Sequence, residues 1–298
     1  MLSICIPLYN YPNYELINSL LTQIKSQEKP IELIVIDDAS NIENRLDLSR
    51  LLSPIQYIQL KENVGRAKIR NRFLLHAKHD FLLFIDGDSK IIKDDFLICY
   101  LDEVKKDEAG VICGRSLYSK QKPIKENSLR WKYGNQVEAQ TVDFRKKNPY
   151  RTFMTNNFVI RKKLLEKIPF EESLTKYGHE DTLMGFRLEQ EGVAISHIQN
   201  PVLNSVSELN SEFIKKSKAG IENLIYIYNL LNQEQGFVKH VKLLSGYFKL
   251  KEMRLTWVLK LNYKLFGKPL EEYFNQGGNN LWLFTIWKLC YLSSVFKT

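Results

Sequence analysis

Apolar positions in the first hundred residues come in short runs, at 2–7, 31–36, 55–60 and 81–85, the last of them unbroken, and each run ends in a polar or acidic loop. A continuous apolar run of this length reads as a strand buried on both faces of a parallel sheet. Helical spacing separates the runs: Ile17, Leu20, Leu21 and Ile24 share one face, as do Ile69, Phe73 and Ala77, and 96–104 repeats the pattern. Further strands are expected at 110–114, 158–160 and 193–198. Short helices are expected at 161–167 and 182–190, the second stopped near Gly192. This alternation predicts an α/β fold, a Rossmann-like and mostly parallel central sheet flanked by helices. If the strands are parallel, their exits converge on one sheet edge. Asn10, Asp37 and Asp38, Gly65 and Arg66, and Asp86 and Asp88 then surround one cleft.

Residues 115–150 are polar, basic and aromatic, with Trp131, Tyr133 and Tyr150. They read as a long connection, the usual place for substrate-specific contacts. From 212 onward the pattern is helical, with Phe213, Ile214, Ile221, Leu224, Ile225 and Tyr228 on a stripe. Two domains are therefore expected, 1–210 and a C-terminal helical extension at 211–298. The last sixty or so residues mix Lys and Arg with aromatics. The run 281–287 is strongly apolar, but Lys288 interrupts it, and it falls short of the roughly 20 residues a spanning helix needs. Two readings stay open for these helices: peripheral contact with a membrane face, or packing as a helical subdomain.

The 298 residues are 44% hydrophobic and 26% charged, which suits a globular protein. The four cysteines (Cys5, Cys99, Cys113, Cys290) are scattered without a Cys-x-x-Cys pair. Together with the lack of a basic leader before residue 2, they predict a reducing, cytoplasmic setting. A net charge of +9 favours anionic partners. Helix-turn-helix, zinc-finger and RNP-type patterns are missing, so a nucleic-acid partner is not expected.

The strongest chemical signal is Asp86-Gly87-Asp88 at the end of the fourth run. Two carboxylates there supply hard oxygen ligands to a divalent cation, which in turn can hold a diphosphate. Asp-x-Asp alone is weak, since such pairs also cap helices and make turns. Consecutive carboxylates at the second exit, Asp37-Asp38, add to it. Other candidates carry ordinary alternatives. Tyr9 stacks on a base or packs at a strand end; Asn156 and Asn157 contact a donor sugar or make a turn; Trp131 is a sugar platform or packing. Arg187 reads as a salt-bridge partner, and His197 as a satisfied core histidine ahead of a metal ligand.

Five elements, in this order and spacing, resemble family 2 glycosyltransferases of the GT-A fold over about residues 1–210. They are Ile6-Pro7-Leu8-Tyr9-Asn10, Ile36-Asp37-Asp38-Ala39-Ser40, Asn63-Val64-Gly65-Arg66 with Arg70-Asn71, Asp86-Gly87-Asp88, and Gly178-His179-Glu180-Asp181. The last, followed by Phe186-Arg187-Leu188, resembles the galactosyl/N-acetylgalactosaminyl and chondroitin-polymerase-like branch. The resemblance implies inverting transfer of a sugar from a nucleotide diphosphate-sugar, most often a UDP-sugar, to a hydroxyl of a glycan or glycolipid acceptor. The implied setting is surface polysaccharide or glycolipid synthesis at the inner membrane face. It implies Asp38 on the uracil, Asp88 on Mn2+ or Mg2+, Asp86 against the ribose, donor sugar or metal, and Asp181 as catalytic base with Glu180 orienting a sugar. Pro7, Tyr9, Asn10, Asn63, Arg66 and Asn157 join Asp38 and Asp86 in the nucleotide-sugar site.

One position departs from the family pattern: Asn204 stands where relatives often carry a metal-binding histidine. Its carbonyl oxygen still suits a hard cation. The departure keeps a degenerate, non-catalytic nucleotide-sugar-binding protein as the alternative. A nucleotidyltransferase is disfavoured, because the loop after the first run (Leu8-Tyr9-Asn10-Tyr11-Pro12) has no glycine or basic residue.

Overall fold

The computed structural model describes residues 1–204 and 208–296. Its strands are β1 (Leu2–Leu8), β2 (Ile31–Asp37), β3 (Gln56–Gln59), β4 (Phe81–Ile85), β5 (Ser89–Ile91), β6 (Val111–Tyr118), β7 (Asn157–Arg161) and β8 (Ile195–Asn204). The helices before Gly178 are α1 (Tyr14–Lys25), α2 (Arg66–Arg72), α3 (Phe96–Lys106), α4 (Ser128–Tyr133), α5 (Val142–Lys147) and α6 (Lys162–Lys167). After it come α7 (Glu180–Gln190), α8 (Asn210–Leu230), α9 (Gln235–His240), α10 (Lys242–Glu252), α11 (Thr256–Asn275) and α12 (Leu281–Val295).

All eight strands form one sheet in the order β3-β2-β1-β4-β7-β6-β8-β5. The first four run parallel to one another, as the mainly apolar runs predict. Four of the five β4 residues are buried, and α1 covers the sheet with Leu16, Ile17, Leu20 and Leu21. Phe84 stacks on Phe158 at 5.1 Å and meets Phe73 edge-on at 5.6 Å, joining β4, β7 and the turn after α2 in one core.

The second half of the sheet differs from the sequence expectation. β7 is antiparallel to both β4 and β6. β8 continues past 198 because it bulges: its register with β6 jumps from Cys113↔His197 to Arg115↔Pro201. Gln199-Asn200-Pro201 therefore looks like a strand end in sequence but sits within a strand. The Asn200 amide donates to Phe96 O at 2.9 Å, and Pro201 has no N–H to place. The extension lets β8 pair with the three-residue strand β5, too short to leave a pattern.

The chain divides into two compact units, neither continuous in sequence. The first comprises Met1–Tyr118, Ala139–Thr175 and Arg187–Val206 and holds the whole sheet. The second comprises Ser119–Glu138, Lys176–Phe186 and Ser207–Thr298 and is helical. Its core gathers Leu129, Phe213, Ile214, Phe274, Phe284 and Trp287. Buried Asn210 ties it together, accepting from Leu129 N at 2.9 Å and donating to Phe274 O at 2.8 Å. The apolar run of α12 is explained here, with Phe284, Trp287 and Tyr291 stacked along the helix and buried. Among the described residues, no helix is long and apolar enough to cross a membrane.

Candidate active site

Within the first unit, parallel pairing brings three strand exits side by side. Leu8 pairs with Asp37, and the Asp38 N–H donates to Leu8 O at 2.8 Å, so the β1 and β2 exits are locked together. Asn10, at φ 52°, donates its N–H to Ser40 Oγ at 2.7 Å and accepts from Asn41 N at 2.8 Å. Asparagine tolerates this left-handed conformation better than most residues. Tyr9 is 54% exposed at the same edge.

The two carboxylates at the β2 exit have different surroundings. Asp37 is fully buried and accepts from Ser40 N and Tyr57 Oη, both at 2.7 Å, so it shapes the loop. Asp38 accepts from the backbone N–H groups of Val64 (2.7 Å) and Gly65 (3.0 Å). Asn63 donates to the Asp38 carbonyl at 3.3 Å. Burial raises the Asp38 carboxyl above its ordinary pKa, partly offset by those two N–H groups. Asp38 thus fastens the 63–66 loop, and Gly65, at φ 84°, opens α2 where an L-residue is strained.

The β4 exit carries Asp86 and Asp88. Asp86 receives Arg70 Nη2 at 2.6 Å and Arg66 Nη2 at 3.4 Å. Arg70 is almost fully buried and also donates to Arg66 O at 2.8 Å, whereas Arg66 is half exposed. The first acid is therefore held by a fixed guanidinium. Gly87 is required by close approach: a Cβ there would lie 2.8 Å from Pro7 O. Asn204, at the end of β8, pairs with Ser89, the residue after Asp88.

Asn13 gave no chemical signal in the sequence, yet it organises this turn. Its Oδ1 accepts from Leu16 N at 3.0 Å as the cap of α1, while its Nδ2 donates to Gly87 O and Ser89 O, both at 2.9 Å. One side chain thus fixes the backbone on either side of Asp88. Asn13→Ala is expected to destabilise the protein by about 1–3 kcal/mol and to weaken metal-dependent donor binding, read by urea unfolding and calorimetry. Unchanged binding with lowered stability would leave Asn13 a helix cap only.

Other expected residues are placed elsewhere. Asn157 is buried inside the sheet, where its amide accepts from Tyr100 Oη (2.6 Å) and donates to Asn200 O (2.9 Å) and Arg115 O (3.2 Å). It is committed to the fold, because β6 carries Gly114 where any Cβ would strike this amide. The neighbouring Asn156 carbonyl accepts from Asp86 N at 3.0 Å. His197 is buried, donates Nε2–H to Pro149 O at 2.9 Å, and burial lowers its pKa to about 4. Arg187 pairs with Glu171 at 2.7 Å. In the second unit, Trp131 donates its indole N–H to Ser119 O at 2.6 Å.

Also in the second unit, Gly178 (φ 92°) and His179 (φ 68°) make a left-handed turn directly into α7. Asn223 holds the turn by donating to Gly178 O at 2.5 Å, and the His179 carbonyl accepts from Leu183 N at 3.0 Å. Glu180 and Asp181 occupy the first turn of α7, where the helix dipole favours carboxylates. Asp181 Oδ1 accepts from Thr182 N at 2.7 Å. His179 bonds Thr182 Oγ1 at 3.0 Å, and burial lowers its pKa to about 4, so it is neutral at pH 7.

Lys288 of α12 belongs to the same group. Its Nζ lies 4.9 Å from the Tyr133 ring centre and 5.1 Å from that of Phe284. Burial lowers its pKa from 10.5 to about 8, against the pull of Glu138. The folded value lies below the unfolded one, so the unfolded chain binds the extra proton between about pH 8 and 10.5 and stability rises across that window. Lys288→Met is expected to be more stable than wild type at pH 7 by about 1–3 kcal/mol, with the gap closing above pH 10.5. Urea unfolding at both pH values checks this; equal stability at pH 7 would refute the buried-charge account.

Asp88 and Asn204 lie on adjacent elements, and a carboxylate and an amide carbonyl are oxygen donors of the kind that would suit a hard divalent cation. Among the described residues no group of three or more His, Cys, Asp or Glu is arranged to hold a metal. Diphosphate and water would supply the remaining ligands.

Residues 3–169, more than half of the chain, match the family described as glycosyl transferase family 2. The chain belongs to this family. The family-2 chain is 27% identical to an uncharacterized glycosyltransferase, YfnE, of Bacillus subtilis (strain 168); the match covers 64% of this chain and 61% of that protein, so the chain spans about three fifths of that relative's length. In structure it is similar to a mannosyltransferase from Pyrobaculum calidifontis in complex with GDP-Man and Mn2+, with a TM-score of 0.57 and 16% identity over 98% of this chain and 85% of that one. It is also similar to glucosyl-3-phosphoglycerate synthase from Mycobacterium tuberculosis in complex with Mg2+ and UDP, with a TM-score of 0.50 and 14% identity over 76% of this chain and 78% of that one. These likenesses agree with the GT-A fold that the family-2 sheet displays.

Proposed function

We propose that this family-2 protein transfers a sugar, with inversion, from a UDP-sugar to a hydroxyl of a glycan or glycolipid acceptor. The observation that carries the proposal is the convergence of the β1, β2 and β4 exits, which gathers Tyr9, Asp38, Arg66, Asp86 and Asp88 at one sheet edge. Asp38 and the Asn63 loop hold the base, with Tyr9 exposed to stack on it. Asp86, fixed by Arg70, takes the ribose or donor sugar. Arg66 reaches the diphosphate from its half-exposed position. Asp88 and Asn204 would hold Mn2+ or Mg2+, which would neutralise charge developing on the leaving diphosphate.

Glycosyl transfer passes through an oxocarbenium-like transition state. A single displacement needs no enzyme nucleophile, but the incoming hydroxyl needs a base. That role falls to Asp181 on its place in the family motif, with Glu180 orienting a sugar. The same motif favours the galactosyl/N-acetylgalactosaminyl branch. The solved relatives, bound to nucleotide and divalent metal, support metal use and a nucleotide-linked donor. The proposed setting is surface polysaccharide or glycolipid assembly at the inner face of a membrane.

A panel of UDP-, GDP- and dTDP-sugars with Mn2+, read by released nucleotide, tests the proposal. Release from one donor, lost in Asp88→Ala, is the expected result. UDP binding without release from any donor would favour a degenerate binding protein, the reading that Asn204 supports. Neither binding nor release would overturn the assignment of the site.

A further inference from the structure

The helix α11 shows an unusual outward face. Trp257, Leu261 and Leu265 recur every fourth residue, so they form one row along it. They are 63%, 45% and 57% exposed. Lys260, Lys264 and Lys268 form a second row beside them with the same spacing, all exposed. Exposed Met253 and Phe266 lie on the same stretch. From Met253 to Leu270 the chain contains no Asp or Glu.

The opposite face anchors the helix. Gly267 and Phe274 are buried, Tyr263 meets Tyr291 at 5.4 Å, and Leu270 packs on the core around Trp287. This anchoring fixes the apolar row outward. The neighbouring α12 turns Phe284, Trp287 and Tyr291 inward and leaves Trp282 outward at 70% exposure, so what sets α11 apart is the regular row and not the exposure of one aromatic. Single exposed apolar residues need no explanation, but a continuous row of them bordered by cations marks an interaction surface.

We infer that this face of α11 docks on an anionic lipid bilayer, with Trp257, Leu261 and Leu265 entering the headgroup boundary and Lys260, Lys264 and Lys268 meeting the lipid phosphates. Charge complementarity selects the partner. A second copy of a chain carrying +9 would bring a like-charged row against this one. Nucleic acid would use the lysines and could stack on Trp257, but it leaves the aliphatic Leu261 and Leu265 of the same row without a partner. A bilayer uses both rows: apolar side chains and tryptophan at the boundary, lysines at the headgroups. The helix lies in the membrane plane, because its lysine row forbids spanning. This surface lies outside the transfer chemistry and does not depend on it.

The test is co-sedimentation of the full chain with phosphatidylcholine vesicles, with and without phosphatidylglycerol. Wild type is expected to sediment with the anionic vesicles and stay in solution with the neutral ones. Joint replacement of Lys260, Lys264 and Lys268 by Gln is expected to weaken binding on the order of a hundredfold. Joint replacement of Trp257, Leu261 and Leu265 by Gln should also release the protein. All six positions are exposed, and circular dichroism confirms folding of each variant. Nucleotide release in solution, unchanged in both, keeps this result separate from the donor screen. Wild type that ignores anionic vesicles, or a lysine variant that binds like wild type, would overturn the inference. So would a dimer that the apolar variant abolishes, or binding to a single-stranded oligonucleotide as tight as to the vesicles.

Discussion

Asp181→Asn is expected to lower turnover by roughly two to four orders of magnitude while leaving UDP affinity at its wild-type value. The change preserves shape and hydrogen-bonding reach but removes the group that accepts the acceptor proton. Asp181 sits in the first turn of α7, next to its bond to Thr182 N, so an amide there still accepts that bond and the helix start survives. Single-turnover transfer and calorimetry separate the two effects. His179 is a poor substitute base, because burial holds its pKa at about 4 and so disfavours proton uptake by its ring. A variant within about tenfold of wild type would move the base elsewhere, with Glu180 the next position to test.

Asp88→Ala is expected to lower transfer by roughly two to three orders of magnitude, and its signature is the metal dependence of binding. Wild type should bind UDP more tightly with Mn2+ than with chelator; the variant should show one weak affinity under both conditions. Asp86 does not compensate, since Arg70 and Arg66 already face its two oxygens. Asn204→Asp should lower the Mn2+ concentration for half-maximal activity by adding a second carboxylate beside the Asp86-Gly87-Asp88 turn. Full activity of wild type in chelator, or equal metal dependence in Asp88→Ala, would remove the cation from this site.

The parallel strands β1, β2 and β4 were legible because burial on both faces forces mainly apolar runs, and a run ending in Asp-Gly-Asp marks its own exit; β3, an edge strand that is only partly buried, showed through apolar residues interspersed with polar ones. Positions such as Asp38 and Asp86 stood out for the same reason: charge at the end of an apolar run is conspicuous. Arg70 was visible only as a motif member. Its guanidinium reaches Asp86 because α2 packs between two strand exits, and one-dimensional spacing does not reveal that. Asn13 was invisible, since an asparagine before a helix reads as a cap and nothing in sequence says that its amide also grips Gly87 and Ser89.

The apolar and polar pattern by itself determined the parallel half of the sheet, the loops that carry the acids and the helical character of the C-terminal third. Each is a local consequence of burial periodicity. Only the tertiary structure decided the antiparallel β7, the bulge that carries β8 on to Asn204, and the interior place of Asn157. It also decided between the two C-terminal helices: α12, the more apolar, buries Phe284, Trp287 and Tyr291, while α11 turns its Trp257 row outward. These depend on which distant segment lies alongside, and a partner's identity is not encoded in the spacing of the residues it covers.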